Sequence, residues 1–471
     1  MHKGTLPERI PKSIVAAIKQ QCFQERAQHR DPLAAFFYDL PALAEHARGL
    51  KAALPQGVEL FYAIKANSEA PILETLAPIV DGFELSSGGE IARALGCSQA
   101  KPWVLSGPGK LDSDMEQAIA GGIEAFHVES LNEIDRLQRI AKHAAEAGKG
   151  QGQPEKTQKV LLRINPSLPE TFGSRLKMAG APTPFGIDES DLGEAVRAVE
   201  VASHLELVGF HIHAMSHQKD VTRHRELIAF YLSRWPQWRA LASRPESLTQ
   251  LNVGGGIGVN YHINAASQIN SAGQISDASQ AHENSEQFDW PLLCQGIEEA
   301  LAQIDNPPRL RFEIGRFISA FCGYYVIEVL DQKTSHGEHF LVCRGGTHQF
   351  RLPAAQSHDH PVIHLPRSAL SPVSSAGPLS EPSSLPSLRG QEQDWTVVGQ
   401  LCTPKDVLSR GQRMQGVKVG DLLVLPLAGA YGYNISHADF LCHPRPAQVF
   451  VQEPESDHAP AEAQSSLATC V

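Results

Sequence analysis

At 471 residues, with 42% hydrophobic and 20% charged residues, the chain has room for two domains with full hydrophobic cores. A formal net charge of -11 argues against nucleic acid or an anionic membrane surface as the main partner, while allowing a local basic pocket. No apolar run is long enough to span a bilayer, the start MHKGTLPERIPKS carries no secretory signal, and eight cysteines form no CxxC pair. The expectation is a reduced, cytoplasmic protein with no membrane span, no zinc site and no redox motif.

From about residue 36 to 315, short apolar runs alternate with amphipathic stretches. AAFFYDL reads as a strand, followed by a helix over PALAEHARGLKAAL with Asp39 as N-cap and Pro41 in its first turn. LFYAIKA, FELS, AFHVES, VLLRIN, LVGFHIHA, LNVGG and LRFEIG continue the series of strands. This alternation predicts a (β/α)8 barrel, with a doubly wound open sheet as competitor. After residue 315, AFCGYYVIEVLDQKT, EHFLVCRGG, DWTVVGQLC, GDLLVLPLAG and PAQVFVQ read as strands with little helical periodicity. They predict a second, all-β domain over 316–452, a β-barrel or sandwich to which residues 1–35 could also belong. Residues 263–287 and 369–393 read as polar loops, and the tail from 453 as mobile.

In a parallel barrel the functional groups gather at the C-terminal ends of the strands. Lys65 ends the apolar run Leu60–Ile64. Either its ammonium reaches water, or it is a desolvated amine with a lowered pKa that reacts with a carbonyl. Gly254, Gly255 and Gly256 follow LNV and can bring backbone N–H groups close to an anion. EIGR adds Glu313, Gly315 and Arg316, so that two neighbouring loops could hold a phosphate; the alternative for Arg316 is a surface ion pair. His211 and His213 fall on one side of their strand, but no further cluster of ligand spacing accompanies them, so no metal is expected. The HDH at 358–360 reads as substrate-side or structural.

YAIKAN, FELSSGGE, HVES, HIHAMS, NVGGGIG, EIGR, GQLCTPKD and GAYG occur in this order over about 370 residues. In them the chain resembles the fold-type III pyridoxal phosphate-dependent decarboxylases, which act on ornithine, arginine and meso-diaminopimelate and share the alanine racemase-like barrel. The resemblance implies pyridoxal phosphate as cofactor, with Lys65 as its covalent anchor. It implies His213 stacked on the ring, Ser216 near the phosphate, and a phosphate cradle of Gly254, Gly255, Gly256, Gly315 and Arg316. Glu313 would pair with the ring nitrogen, Glu84 and Arg163 would lie on the cofactor side, and Tyr431 beside the phosphate. Cys402 and Asp406 would reach the site from the other subunit of a homodimer with shared active sites, Cys402 as proton donor. A carboxylate at 313, where racemases are expected to carry an arginine, favours decarboxylation.

GGTHQFRLPAAQSHDHP departs from the ornithine and diaminopimelate enzymes and looks more like the branch that works in carboxylate-siderophore assembly. That implies a citrate–amino acid conjugate, such as citryl-diaminopropionate, with Arg351 and nearby histidines such as His348 at its carboxylates. A structural loop with a surface arginine is the alternative. The competing functions are meso-diaminopimelate decarboxylation in lysine synthesis and a non-catalytic, cofactor-binding regulatory homologue.

Overall fold

The computed structural model describes residues 10–27, 31–149, 157–169, 180, 182–261, 287–370 and 392–452. The expected loops at 263–287 and 369–393 fall outside them except at their edges, as does the tail from 453.

Seventeen strands among these residues form two sheets. Helix α1 (Lys12–Ala27) precedes β1 (Ala34–Asp39) and α2 (Leu40–Ala53), where the Asp39 carboxylate caps the helix by accepting from Ala42 N–H at 3.1 Å and Pro41 sits in the first turn. There follow β2 (Glu59–Ala63), β3 (Gly82–Leu85), β4 (Trp103–Leu105), β5 (Ala125–Val128), β6 (Gln158–Asn165), β7 (Ile187–Asp188), β8 (Leu205–His211), β9 (Gln250–Asn252) and β10 (Arg309–Ile314). Eight of these, in the order β2-β3-β4-β5-β6-β8-β9-β10, pair in parallel and close into a ring when β10 meets β2, with β7 a short appendage on β6. Helices cover the outside, so the strands are buried on both faces and read as unbroken apolar runs. The closed barrel is the observed fold, not the open sheet.

One expected barrel strand lies elsewhere. AAFFYDL supplies β1, which pairs antiparallel with β11 (Gly323–Ser335) and parallel with β17 (Ala447–Val451) in the second sheet. Its residues face two cores in alternation. Phe36 and Tyr38 enter the main core; Ala35 and Phe37 pack in a smaller one under Ile10, Ile14 and Ile18. A strand buried on both faces has the same apolar signature in either sheet, so periodicity could not place it. The missing barrel strand is β4, three residues long between Pro102 and the Gly107–Gly109 loop, which the series of apolar runs passed over.

The second sheet is curled and mixed, in the order β13 (Ile363–Leu365), β16 (Leu422–Leu425), β11, β12 (Glu338–Cys343), β14 (Glu392–Val398) and β15 (Val407–Gln415), with β1 on β11 and β17 on β1. Its loop 429–434 is stitched to the strand end that carries Lys65. Tyr431 N–H donates to the Ala66 carbonyl at 2.8 Å, Asn434 Nδ2 to the Lys65 carbonyl at 2.7 Å, and Asn67 Nδ2 to the Gly429 carbonyl at 3.0 Å. Among the described residues no helix is long and apolar enough to cross a membrane.

Candidate active site

Lys65 stands in a short 3-10 turn, Ile64–Ala66, directly after β2 at the C-terminal rim of the barrel. Register places Ala63 beside Glu84 on β3, and Lys65 Nζ donates to Glu84 Oε2 at 2.8 Å. The other Glu84 oxygen accepts from the Ser86 hydroxyl at 3.1 Å. Burial alone would lower the Lys65 amine, but the charge of Glu84, with Tyr431 and Glu313 behind it, outweighs burial and holds the amine above the ordinary lysine value. This corrects the expectation of a lowered pKa: the lone lysine of the sequence meets a fully buried carboxylate from the next strand. Burial in turn pushes the Glu84 carboxyl up, opposed by Lys65.

The opposite wall comes from β8, β9 and β10. Glu313 Oε1 accepts from Asn252 Nδ2 at 2.8 Å, while His211 Nε2 lies 3.3 Å from Oε2 and His127 Nδ1 3.5 Å from Oε1. The His127 and His211 rings stack with centroids 4.2 Å apart. Burial holds both imidazoles well below their ordinary pKa; the neighbouring His211 adds to this at His127, and Arg163, Lys65 and Lys110 add to it at His211. Both rings are therefore neutral near pH 7, and their approaches to Glu313 are not ion pairs. Neither His211 nitrogen finds a hydrogen-bond partner. The expectation that no ligand-type cluster surrounds HIHAMS is overturned, because topology brings His127, His211 and Glu313 ligand atoms within 4.8 Å of one another.

The glycine triplet does something other than its sequence implied. Gly254 N–H is donated to Asn252 Oδ1 at 2.9 Å and Gly255 N–H to His213 Nδ1 at 3.1 Å, so neither is left for a phosphate. Only Gly256 of the three lines the cavity. The need for glycine is steric. A Cβ at 255 would run into the Glu313 carbonyl and one at 256 into the Met215 carbonyl, while Gly254 and Gly256 hold φ of 66° and 82°. His213 is also pushed well below its ordinary pKa, by burial and then by Arg163 and Lys65. A neutral ring that accepts at Nδ1 carries its hydrogen on Nε2.

Arg163, at the end of β6, is held by Glu129 of HVES at 2.8 Å, with its guanidinium 4.8 Å from the centre of the Phe185 ring. Glu129 also accepts from Gly107 N–H and Gly186 N–H, both at 3.0 Å, and so fixes two rim loops as well as the arginine. On the far side, Arg316 Nη1 donates to the Tyr261 hydroxyl at 3.0 Å, and its guanidinium stands 4.4 Å from the centre of the Tyr431 ring. Together Lys65, Glu84, Arg163, His211, His213, Ser216, Gly256, Glu313, Gly315, Arg316 and Tyr431 line one cavity of about 460 Å³, a size typical of small-molecule sites.

The second-sheet candidates are not in that cavity. Cys402 is exposed, on a loop held by Asp406. Asp406, expected to reach substrate, is buried. Its Oδ1 accepts from Thr347 N–H at 2.6 Å and Thr347 Oγ1 at 2.7 Å, and its Oδ2 from Leu401 N–H at 2.8 Å. A carboxylate so engaged positions the Cys402 loop instead. His348 is buried with neither ring nitrogen hydrogen-bonded, and burial lowers its pKa to about 4. Arg351 is exposed; its backbone N–H donates to Ser436 Oγ at 2.9 Å. Asn252, Glu129, Asn434 and Tyr261 were missed as functional residues. Glu129 sits in a noticed motif, and Asn252 two residues before the first glycine, but a polar residue at a strand end names no partner.

The cavity fits pyridoxal phosphate by its chemistry. An amine faces it, a buried carboxylate and an unpartnered buried imidazole stand opposite, and its glycine walls admit no side chain. The family described as pyridoxal-dependent decarboxylase, pyridoxal binding domain, matches residues 40–320. The 2-[(L-alanin-3-ylcarbamoyl)methyl]-2-hydroxybutanedioate decarboxylase of Staphylococcus aureus is 35% identical over 451 residues, covering 95% of this chain and 100% of that protein. A diaminopimelate decarboxylase of Campylobacter jejuni is 25% identical, over 85% of this chain and 86% of that one. Among solved structures, the Helicobacter pylori diaminopimelate decarboxylase complexed with L-lysine superposes with a TM-score of 0.69 at 24% identity, covering 92% of this chain and 94% of that chain.

Proposed function

The chain belongs to the pyridoxal-dependent decarboxylases, carboxy-lyases with pyridoxal phosphate as cofactor, and from that premise we propose that its substrate is a citrate-derived conjugate of an amino acid. The preferred member is citryl-diaminopropionate, decarboxylated in the cytoplasm during carboxylate-siderophore assembly. The observation that carries this is the 35% identity over the whole length of the staphylococcal enzyme, against 25% for the diaminopimelate enzyme. That relative's name describes an alanine head joined through an amide to a hydroxybutanedioate. The head offers the primary amine and the carboxylate to be lost; the tail is anionic.

Bound pyridoxal phosphate supplies the electron sink, which works best with its ring nitrogen protonated. Glu313 holds that proton by charge, with Oε1 fixed by Asn252. Lys65 is the covalent anchor, and Glu84 takes the proton that its amine must shed before it can attack a carbonyl. His213, fixed by Gly255, presents a flat neutral ring to the cofactor. Ser216, Gly256, Gly315, Arg316 and Tyr431 form the phosphate end, and Arg163 the opposite side. Cys402 protonates the α-carbon of substrate held by the other chain of a homodimer. Arg351, exposed on the same side, borders the tail, with His348 buried behind it. Purified enzyme offered citryl-diaminopropionate, diaminopimelate, ornithine and lysine should release CO2 with the highest kcat/KM from the citryl conjugate. A higher kcat/KM on diaminopimelate replaces this reading with lysine synthesis.

A further inference from the structure

The phosphate-end arginine is held from the second domain, through residues that the decarboxylation chemistry leaves unused. Tyr261 is buried, with its hydroxyl on Arg316 Nη1 at 3.0 Å. One neighbour of its ring is His217, nearly parallel at 4° with centroids 6.1 Å apart. Another is His358 of the HDH motif, at 4.7 Å and 11°. His358 Nε2 lies 3.0 Å from His360 Nδ1, and His360 Nε2 lies 2.6 Å from the Pro426 carbonyl. A carbonyl only accepts, so His360 Nε2 donates. Burial lowers His360 to about 4, and in the neutral ring Nδ1 accepts from His358. The motif is braced from behind. His360 N–H donates to the Leu408 carbonyl at 3.2 Å, and Ser409 Oγ donates to the His360 carbonyl at 2.6 Å. An unbroken series of contacts therefore runs from β15 through His360, His358 and Tyr261 to Arg316.

We propose that Tyr261 is a positioning residue that aims the Arg316 guanidinium at the cofactor phosphate, and that the His358–His360 pair clamps Tyr261 so that the second domain sets how tightly the phosphate is held. This rests on the reading that Arg316 meets the phosphate. Without the hydroxyl, the long arginine regains rotamers it must give up again on binding. Without the His358 ring, Tyr261 keeps its hydroxyl but loses one flat face of its seat.

The test is titration of the apoenzyme, followed by absorbance and fluorescence, with pyridoxal phosphate and in parallel with pyridoxal, which lacks the phosphate. Tyr261→Phe keeps the ring stack and removes only the hydroxyl. It should weaken pyridoxal phosphate about tenfold, the loss of one hydrogen bond to a charged group, and change pyridoxal less than about twofold. His358→Ala should weaken pyridoxal phosphate by about threefold, and His358→Phe, which restores a flat ring, should return it to the parent value. Arg316→Gln must itself erase the preference for the phosphorylated ligand; if it does not, both the site reading and the inference fall. If Arg316→Gln erases it and Tyr261→Phe does not, the inference alone is wrong. Equal weakening of both ligands by Tyr261→Phe, or failure of His358→Phe to rescue, shows a merely structural role and also overturns it.

Discussion

The barrel rim and the Cys402 face of the second sheet are finished to different degrees within one chain. At the rim, Lys65 meets Glu84, Arg163 meets Glu129, Arg316 meets Tyr261 and Glu313 meets Asn252. These groups are aimed before any ligand arrives. On the second sheet, Cys402 and Arg351 are exposed, His348 is buried without a hydrogen bond, and Ile435, Phe440 and Leu441 present apolar surface. Preorganised polar groups suit a cofactor that stays and transition-state charge that develops in one place. The unfinished face suits a surface completed by a second copy, which is why the proposed shared site places Cys402 opposite the other chain's lysine.

The largest effect that could break this comparison belongs to the rim. Lys65→Ala should reduce turnover by at least about a thousandfold, as for a lost covalent catalyst. Borohydride reduction and peptide mapping of the parent should find the pyridoxyl group on Lys65; another lysine would overturn the assignment. Next, Glu313→Gln should lower kcat about a hundredfold, near 2.7 kcal/mol, while the dissociation constant for pyridoxal phosphate moves far less. An unchanged kcat would mean that Glu313 does not hold the ring proton.

A sharper probe of the unfinished face mixes Lys65→Ala chains with Cys402→Ala chains, each inactive alone. Random exchange into dimers should restore roughly a quarter of parental activity, since half the dimers are mixed and each has one intact site. Recovery of nothing, with exchange demonstrated by mass spectrometry, would place Cys402 outside the partner's site. Arg351→Ala should have a smaller effect, raising KM for the citryl conjugate by about threefold to tenfold through loss of a solvent-screened charge pair. An unchanged KM would make Arg351 a surface residue.

The smallest effect is on stability. Burial lowers His224 and His360 to about 4, below their unfolded value of about 6.5. Between those values the unfolded chain binds more protons than the native one, so stability falls as pH drops from about 6.5 toward 4. Melting temperature should decline across that window, and less steeply in His360→Asn if the variant folds; a flat profile would contradict the burial of neutral histidines.

Much of the site was legible because ordered motifs identify strand ends, and strand ends identify a barrel rim. Lys65, Glu84, Arg163, His213, Ser216, Gly256, Glu313, Gly315, Arg316 and Tyr431 do gather at one cavity. The glycine triplet shows the limit. Its residue type was informative, but whether an N–H points to a ligand or to His213 depends on a loop contributed by another strand. Asp406 shows the same limit: a carboxylate at a suggestive spacing spends its oxygens on Thr347 and Leu401.

Sequence by itself determined the alternation of strands and helices, the all-β texture after residue 315, the capping of α2 by Asp39 and the family. These are local patterns of polarity, turn chemistry and motif order, and they survive without knowledge of partners. Tertiary structure alone decided that β1 joins β11 and β17 while the three residues of β4 complete the barrel. It alone turned Lys65 from a desolvated amine into one held protonated by Glu84, and linked Arg316 through Tyr261 to the HDH motif of the other domain. The reason is common to all of these: a buried group takes its charge, its tautomer and its aim from neighbours distant in sequence, and the closing of the two sheets selects those neighbours.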